Sequence, residues 1–554
     1  MIPRPFVSTP LGFTFHYGAS SRAAALDAWL RQAFGAEAAE LAAGIPENLR
    51  QDPCAAYVAR LLWLGRTILK CWRIPAFEAG RIERILPQMK SETLRCEISE
   101  PMLDCMPRIV HKTAYGLSGE ASAWCMRNPV SDAKVVEFHT RFEDMVKKGM
   151  PPLELGGAST LPVLQTARSM GIPFLHLGRG IYQLGLGSKR RQLDRSHGES
   201  DSYVGVMLAA DKATAARLLR ARGLPVPSHE VVVTKEAAVS AAASLGFPVV
   251  VKPLDANRGE GVTVDVDSPA AVAAAFERAK TATRSRVVLV EKQVAGVCHR
   301  LFIVKGQMLY AVKRLPLYVT GDGTRTLADM VKAEAARDLR QPFWLRNGMA
   351  TVDEAALAAL KARGHPPEGV PPRGARVYLR PIESTAWGGI DEDATATVHP
   401  LNLAAAVAAA ETFGLEVAGV DMITTDLSVP WTENGAAINE VNGGPLLGGA
   451  AISLSHVPRF LEIYLGGSGL IGFDTAEAGT GLDVLRARQE EMLAAGVRCW
   501  IVYDDAAIDH ERKVVCTVEQ GTAGESAALR LAVLNRALDH VILVRGPAPR
   551  QALA

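Results

Sequence analysis

The chain lacks the signatures of several protein classes. Its eight cysteines (Cys54, Cys71, Cys96, Cys105, Cys125, Cys298, Cys499 and Cys516) contain no Cys-x-x-Cys pair and no zinc-finger spacing. Such scatter excludes a disulfide framework and reads as reduced, mostly buried thiols, so a cytoplasmic location is expected. No stretch approaches the roughly 18 apolar residues that a membrane helix needs. The start, Met1-Ile-Pro-Arg-Pro-Phe6, has no basic region ahead of an apolar core, so secretion is not expected either. With a formal net charge of +2 and 22% charged residues there is no acidic or basic tail, which points away from nucleic-acid and membrane partners and toward small molecules. The G-x-x-x-x-G-K-[ST] phosphate loop is absent, and Gly185-x-Gly187 lacks the third glycine and the helix of a dinucleotide fold; Walker and Rossmann sites are therefore excluded. There is no G-x-S-x-G, and His197, His299 and His399 have no metal-like spacing, which leaves no sign of a hydrolase triad or a histidine metal centre.

What remains is a globular α/β chain. Its 554 residues, 48% of them hydrophobic, suggest roughly two to four domains with ample core. Residues 1–150 show helical periodicity, as in Ala23 to Leu41, without a catalytic signature. Residues 151–210 read as a short α/β segment, with a helix at Leu161 to Met170, a strand at Pro173 to Leu177 and two glycine-bounded pieces. A longer α/β region spans 211–467, and the glycines at Gly466-Gly-Ser-Gly469 are read as a linker to a small α/β module at 474–554. The basic run Lys189-Arg190-Arg191 reads as a solvated strand or turn face that could steer anions. Residues 364–374, rich in proline, read as an insertion loop expected to cover an acceptor site.

Two stretches carry chemistry. Asp421 ends the apolar run Val417-Ala-Gly-Val420, while Glu440 and Asn442 lie two apart on a following strand and so share a face. A hairpin of these strands brings two carboxylates and an amide together, a donor set that suits Mg²⁺ with an open position for phosphates. Upstream, Val249-Val-Val-Lys252-Pro253 is a β-branched strand ending in lysine. It is followed by Asn257-Arg-Gly259-Glu-Gly261-Val262 and a second strand through Val266. Small residues there allow backbone N–H groups to approach phosphate oxygens, and the ammonium can neutralise them.

The order Asp211-Lys212, Val251-Lys252-Pro253, the glycine loop, Val290-Glu291-Lys292-Gln293-Val294, Asp421, Glu440 and Asn442 resembles the ATP-grasp superfamily. The resemblance narrows to the ATP-grasp portion of cyanophycin synthetases through Tyr182-Gln-Leu-Gly-Leu-Gly187, Thr320-Gly-Asp-Gly-Thr324, Val398-His-Pro-Leu-Asn402 and Glu440-Val-Asn-Gly-Gly-Pro445. It covers about residues 150–467, without a second, Mur-ligase-like half. It implies a nucleotide held between two α+β subdomains, with ATP and Mg²⁺ as cofactors. Lys212 and Lys252 would reach the phosphates, Asn257, Gly259, Gly261 and Val262 would form the flap, and Glu291, Lys292 and Val294 would hold the adenine. Asp421, Glu440 and Asn442 would hold the metal. Two departures stand out: Ala386-Trp387 replaces the Ser-Thr or Ser-Gly residues that precede the family's Gly-Gly pair, and Cys298 replaces an acidic residue near the ribose.

The implied reaction is ADP-forming carboxylate–amine ligation through an acylphosphate, on amino acid or short peptide substrates. Phosphoryl transfer of this kind needs positioning and charge neutralisation rather than an enzyme nucleophile. Arg300, Lys313 and Arg380 are candidate anchors for the γ-phosphate or the substrate carboxylate, because a guanidinium matches two-oxygen anions. A bicarbonate-activating carboxylase and a non-catalytic nucleotide-binding regulator are the alternatives, and homo-oligomerisation follows from family analogy alone.

Overall fold

The computed structural model describes residues 6–16, 21–87, 93–103, 106–153, 155–255, 259–283, 285–352, 356–357, 360–361, 364–380, 383, 388–517 and 527–549. Asn257, Ala386 and Trp387 therefore lie outside the described residues. The architecture is mixed α/β, as expected, with six sheets and intervening helices among the described residues.

Residues 6–149 build a three-stranded antiparallel sheet in which Thr93–Leu103 lies between Phe6–His16 and Arg81–Pro87. Period-two alternation turns Leu94, Cys96, Ile98 and Met102 inward. Helices Ser21–Phe34, Pro53–Cys71, Arg108–Arg127 and Asp132–Gly149 complete this part. The helical pattern from Ala23 to Leu41 is two helices rather than one. Gly35, at φ 70°, ends the first and donates its N–H to the Arg31 carbonyl at 2.8 Å, a left-handed stop that a residue with a Cβ adopts at a cost.

The central sheet positions the site. Its five antiparallel strands run in the order Ile390–Asp393, Gln307–Leu315, Val297–Val304, Val417–Thr424, Ala437–Gly443. One face carries Leu301, Ile303, Ala311, Ala418, Val420 and Met422 and packs against the helix Pro400–Thr412. That helix is alanine-rich because Ala405, Ala406, Ala409 and Ala410 all meet the sheet, and small side chains allow close approach. The other face carries Phe302, Val304, Tyr310 and Val312, which join the core of residues 6–149.

A smaller four-stranded sheet, in the order Thr263–Val266, Val249–Pro253, Val288–Lys292, His229–Val232, is backed by helices Lys235–Leu245 and Pro269–Ala282. Both helices start on a hydroxyl cap, Thr234 and Ser268, whose oxygens accept from Ala237 N and Ala271 N. Between the central strands Gln307–Leu315 and Ile390–Asp393 sits an inserted lobe. It contains the two-stranded ladder Tyr318–Thr320 with Arg376–Tyr378 and the helix Leu327–Leu339. The proline-rich stretch wraps the start of that helix, where the carbonyls of Gly369 and Pro367 accept from Leu327 N and Ala328 N at 2.9 Å. The lobe also docks on the N-terminal helices, with Arg346 Nη1 donating to Glu143 at 3.0 Å and Arg340 Nη1 to Asp132 at 2.6 Å.

The C-terminal residues form a five-stranded mixed sheet that includes the strand Gly472–Ala476. It shares a core with Leu175 and Leu186 of the four-stranded sheet at 174–198. Gly187, at φ 51°, lies under this junction, where a Cβ would meet the Leu538 carbonyl at 2.2 Å. The expected linker is likewise pinned, since Gly469 O accepts from Leu186 N at 2.8 Å. No helix among the described residues is long and apolar enough to cross a membrane.

Candidate active site

Val417–Thr424 and Ala437–Gly443 pair as an antiparallel hairpin in which Asp421 faces Glu440 and Gly419 faces Asn442. On the other side of Asp421 lies Arg300, also a cross-strand partner. Directly opposed residues share a face, so the strands deliver Arg300, Asp421 and Glu440 to one surface. The Arg300 guanidinium grips Asp421 with two hydrogen bonds, Nε to Oδ1 at 2.8 Å and Nη2 to Oδ2 at 2.7 Å. Burial opposes its charge, but Asp421 outweighs that by attraction and hydrogen bonding and raises its pKa. Asn442 Nδ2 lies 3.5 Å from Asp421 Oδ2. The orientation of an amide is assigned from its neighbours, so a flipped Asn442 would present oxygen instead.

Across the cleft the smaller sheet supplies Lys252, and a helix packed on the central sheet supplies Lys212. Lys252 Nζ sits 2.6 Å from Glu291 Oε2, with both side chains nearly buried, and donates to Asn439 Oδ1 at 3.3 Å. Lys212, at the start of the helix Lys212–Ala221, has its pKa lowered by burial, with Glu440 opposing and Lys252 reinforcing the shift. Lys212, Lys252, Glu291, Asn439, Glu440, Asp421 and Arg300 thus form a charged row, two cations meeting three carboxylates before Arg300, that joins the two sheets. Beside the strand end, Gly259 and Gly261 adopt φ of 77° and 72°, and Val262 N donates to Gly259 O at 3.3 Å. A Cβ on Gly261 would meet the Ala282 Cβ at 2.7 Å.

Other sequence-predicted residues go elsewhere. Lys313 pairs with His299 across the ladder and so lies on the face opposite Arg300. Both residues line a cavity of about 320 Å³ together with Glu392, Asp426 and Ser428. Lys292 donates its ammonium to the carbonyls of Gly246 and Phe247 at 3.0 and 2.8 Å, away from Glu291. Next to it, Gln293 bonds Asp265, and Val294 follows at the strand exit. Arg380 lies in the inserted lobe, where its Nη2 donates to the Thr351 carbonyl at 2.8 Å. His399 caps the helix Pro400–Thr412, its Nδ1 accepting from Leu401 N.

Sequence reading missed Arg314, Asp391 and Glu383. Arg314 Nη1 is 3.8 Å from Asp421, and its Nε is 3.9 Å from Asp391. The signal was available: one residue beyond Lys313, strand alternation returns the side chain to the face of Arg300. Glu383 hydrogen-bonds the Cys298 thiol, and burial raises its carboxyl pKa, with Arg314 opposing and Asp421 adding. An acidic group therefore does stand beside Cys298, delivered from a distant segment.

Asp421, Glu440 and Asn442 could hold a small hard cation. Among the described residues no cluster of three His, Cys, Asp or Glu forms a cage by itself, so such a cation would complete its shell with water or phosphate oxygens.

Residues 208–298 match the family model for an ATP-grasp domain. The cyanophycin synthetase of Geminocystis herdmanii is 32% identical over 294 residues, 52% of this chain and 33% of that protein. A bifunctional glutathione biosynthesis protein of Streptococcus agalactiae is 27% identical over 45% of this chain and 34% of its own length. The crystal structure of a bifunctional glutathione synthetase from Pasteurella multocida aligns at 18% identity with a TM-score of 0.44, covering 74% of this chain and 69% of that one. The chain spans about a third of the length of the curated relatives it matches. It carries an ATP-grasp domain, and cyanophycin synthetases are homologues of about half of it.

Proposed function

We propose that this chain is an ATP-dependent, ADP-forming ligase that joins a carboxylate to an amine, acting on amino acid or short peptide substrates in the cytoplasm. The observation that carries the proposal is the approach of two ammonium groups, Lys212 and Lys252, to the hairpin that carries Asp421, Glu440 and Asn442. Two ammonium groups neutralise phosphate oxygens of ATP. The strand exit from Glu291 to Val294 offers backbone groups to the adenine, and Gly259 to Val262 close over the phosphates. Mg²⁺ held by Asp421, Glu440 and Asn442 would neutralise charge on the β- and γ-phosphates.

The chain's own residues then position the reaction. Arg300 and Arg314 stand beside Asp421, where guanidinium donors suit the transferring phosphoryl group and the substrate carboxylate. The carboxylate oxygen attacks the γ-phosphorus and ADP leaves. The amine then attacks the acylphosphate carbon, releasing phosphate and forming the amide. Half-buried carboxyl groups at Glu383 and Asp391, both with raised pKa, are suited to receive the proton the amine gives up.

The test is release of ADP and phosphate by the full chain with ATP and Mg²⁺ across a panel of amino acids and dipeptides. Turnover that requires both a carboxylate and an amine and disappears in Glu440→Ala supports the ligase. Turnover that persists in Glu440→Ala, or that follows bicarbonate instead, overturns it.

A further inference from the structure

Three arginines converge on a single carboxylate outside the cleft. Arg190 Nη1 lies 3.4 Å from Glu199 Oε2 and Arg191 Nε 3.9 Å from Glu199 Oε1, while Arg536 Nη2 also touches Oε2. Arg190 and Arg191 belong to the turn and strand of the sheet at 174–198, and Arg536 comes from the C-terminal part. The cluster therefore straddles the junction that Gly187 and Leu186 hold closed by hydrogen bonds to Val533 and Gly469.

One carboxylate cannot satisfy three guanidinium groups, each of which carries five donors. Glu199 is 9% exposed and its Oε2 is shared by Arg190 and Arg536. Arg190 is 13% exposed, and its Nε is buried with no hydrogen-bond partner. Neighbouring acids are engaged elsewhere: Asp201 accepts from Gly198 N, Glu416 N and Val417 N, and Glu416 pairs with Lys305. Burial lowers the Arg190 pKa, with Arg536 and Arg191 adding to the effect against Glu199. Such crowding of like charge is costly unless an anion enters. Access exists, since exposure rises from Arg190 through Arg191 at 31% to Arg536 at 58%.

We propose that Arg190, Arg191 and Arg536 form a binding site for a small phosphate-type oxyanion at the seam of the C-terminal sheet, apart from the charged cleft. A tetrahedral oxyanion supplies the acceptors the three arginines lack and competes with Glu199 for them. Occupancy ties Arg536 to Arg190 and Arg191, so it tightens the junction between the two sheets.

The experiment uses the full chain with its cleft saturated by Mg²⁺ and a non-hydrolysable ATP analogue. Inorganic phosphate is titrated calorimetrically, with glycerol 3-phosphate in a parallel arm. Arg536→Gln, at an exposed position, is expected to weaken binding by about tenfold or more, as loss of a charge-assisted contact implies. Glu199→Gln removes the competing carboxylate and is expected to tighten binding several-fold. Equal affinity in the parent and Arg536→Gln, or no binding to the parent at millimolar phosphate, overturns the site. Weaker binding in Glu199→Gln also overturns it, because the arginines would then be a structural ion-pair cluster only. If glycerol 3-phosphate binds more tightly than phosphate, the site takes an organic phosphate; the reverse order assigns it to the free ion.

Discussion

Replacing Lys252 by methionine separates structural pairing from nucleotide binding. Lys252 and Glu291 meet at 2.6 Å with side chains 8% and 10% exposed, so Lys252→Met leaves a carboxylate in a nearly dry site. Removing one member of a buried pair costs about 3–5 kcal/mol. Lys212 stands close enough to raise a second positive charge near Glu291, which lowers the expected loss to about 2–3 kcal/mol. In Lys252→Met/Glu291→Gln the lone charge is gone, and stability is expected to return to within about 1 kcal/mol of the parent. ATP affinity follows a different course. The phosphate-facing ammonium is absent from both variants, and a hydrogen bond to a charged group is worth about 2 kcal/mol, or roughly 30-fold in Kd. Urea denaturation and ATP titration of the parent, the two single variants and the double variant measure both quantities. Equal stability loss in the single and double variants would refute the pairing account. Recovery of ATP affinity together with stability would refute the phosphate role.

Two further outcomes follow from the geometry. His139, buried beside Phe34 and Phe138, has a pKa lowered to about 4 by burial and secondarily by Arg346. The unfolded chain binds this proton more tightly, so the stability His139 provides is present above about pH 6.5 and lost as pH falls toward 4. Unfolding free energies from urea denaturation at pH 7.5 and 5 should differ by about 2 kcal/mol more in the parent than in His139→Leu, and identical pH profiles would count against that burial. Gly261→Ala forces a Cβ into Ala282 at a left-handed backbone position. It is expected to cost about 2 kcal/mol and to weaken ATP binding, whereas a variant with parental stability would show that the loop relaxes freely.

Local chemistry was legible wherever one strand or one turn carried it. The hairpin of Asp421 with Glu440 could be read from two apolar runs, because period-two alternation fixes which side chains share a face. Lys252 at a strand end followed by glycines could be read for the same reason, and the structure adds that Gly259 and Gly261 take left-handed backbone. The alanine spacing from Leu403 to Glu411 also reads as a packed helix, which the structure extends to Pro400–Thr412, although the sequence did not say which sheet it covers.

Register and long-range approach were decided only in three dimensions. Sequence singled out Lys313, yet the pairing of His299 with Lys313 turns that ammonium to the far face and leaves Arg314 beside Asp421; a shift of one residue in a strand reverses every side chain. Glu383 reaches Cys298 from 85 positions along the chain, a proximity that no local pattern encodes. The C-terminal part read as a module beyond a glycine linker, but Leu175 and Leu186 complete its core. The sequence by itself thus determined which residue types line the cleft and how each strand alternates. The tertiary structure decided which strands oppose one another, and so which charges meet, because charges separated by hundreds of residues interact only when the sheets bring them within a few ångströms.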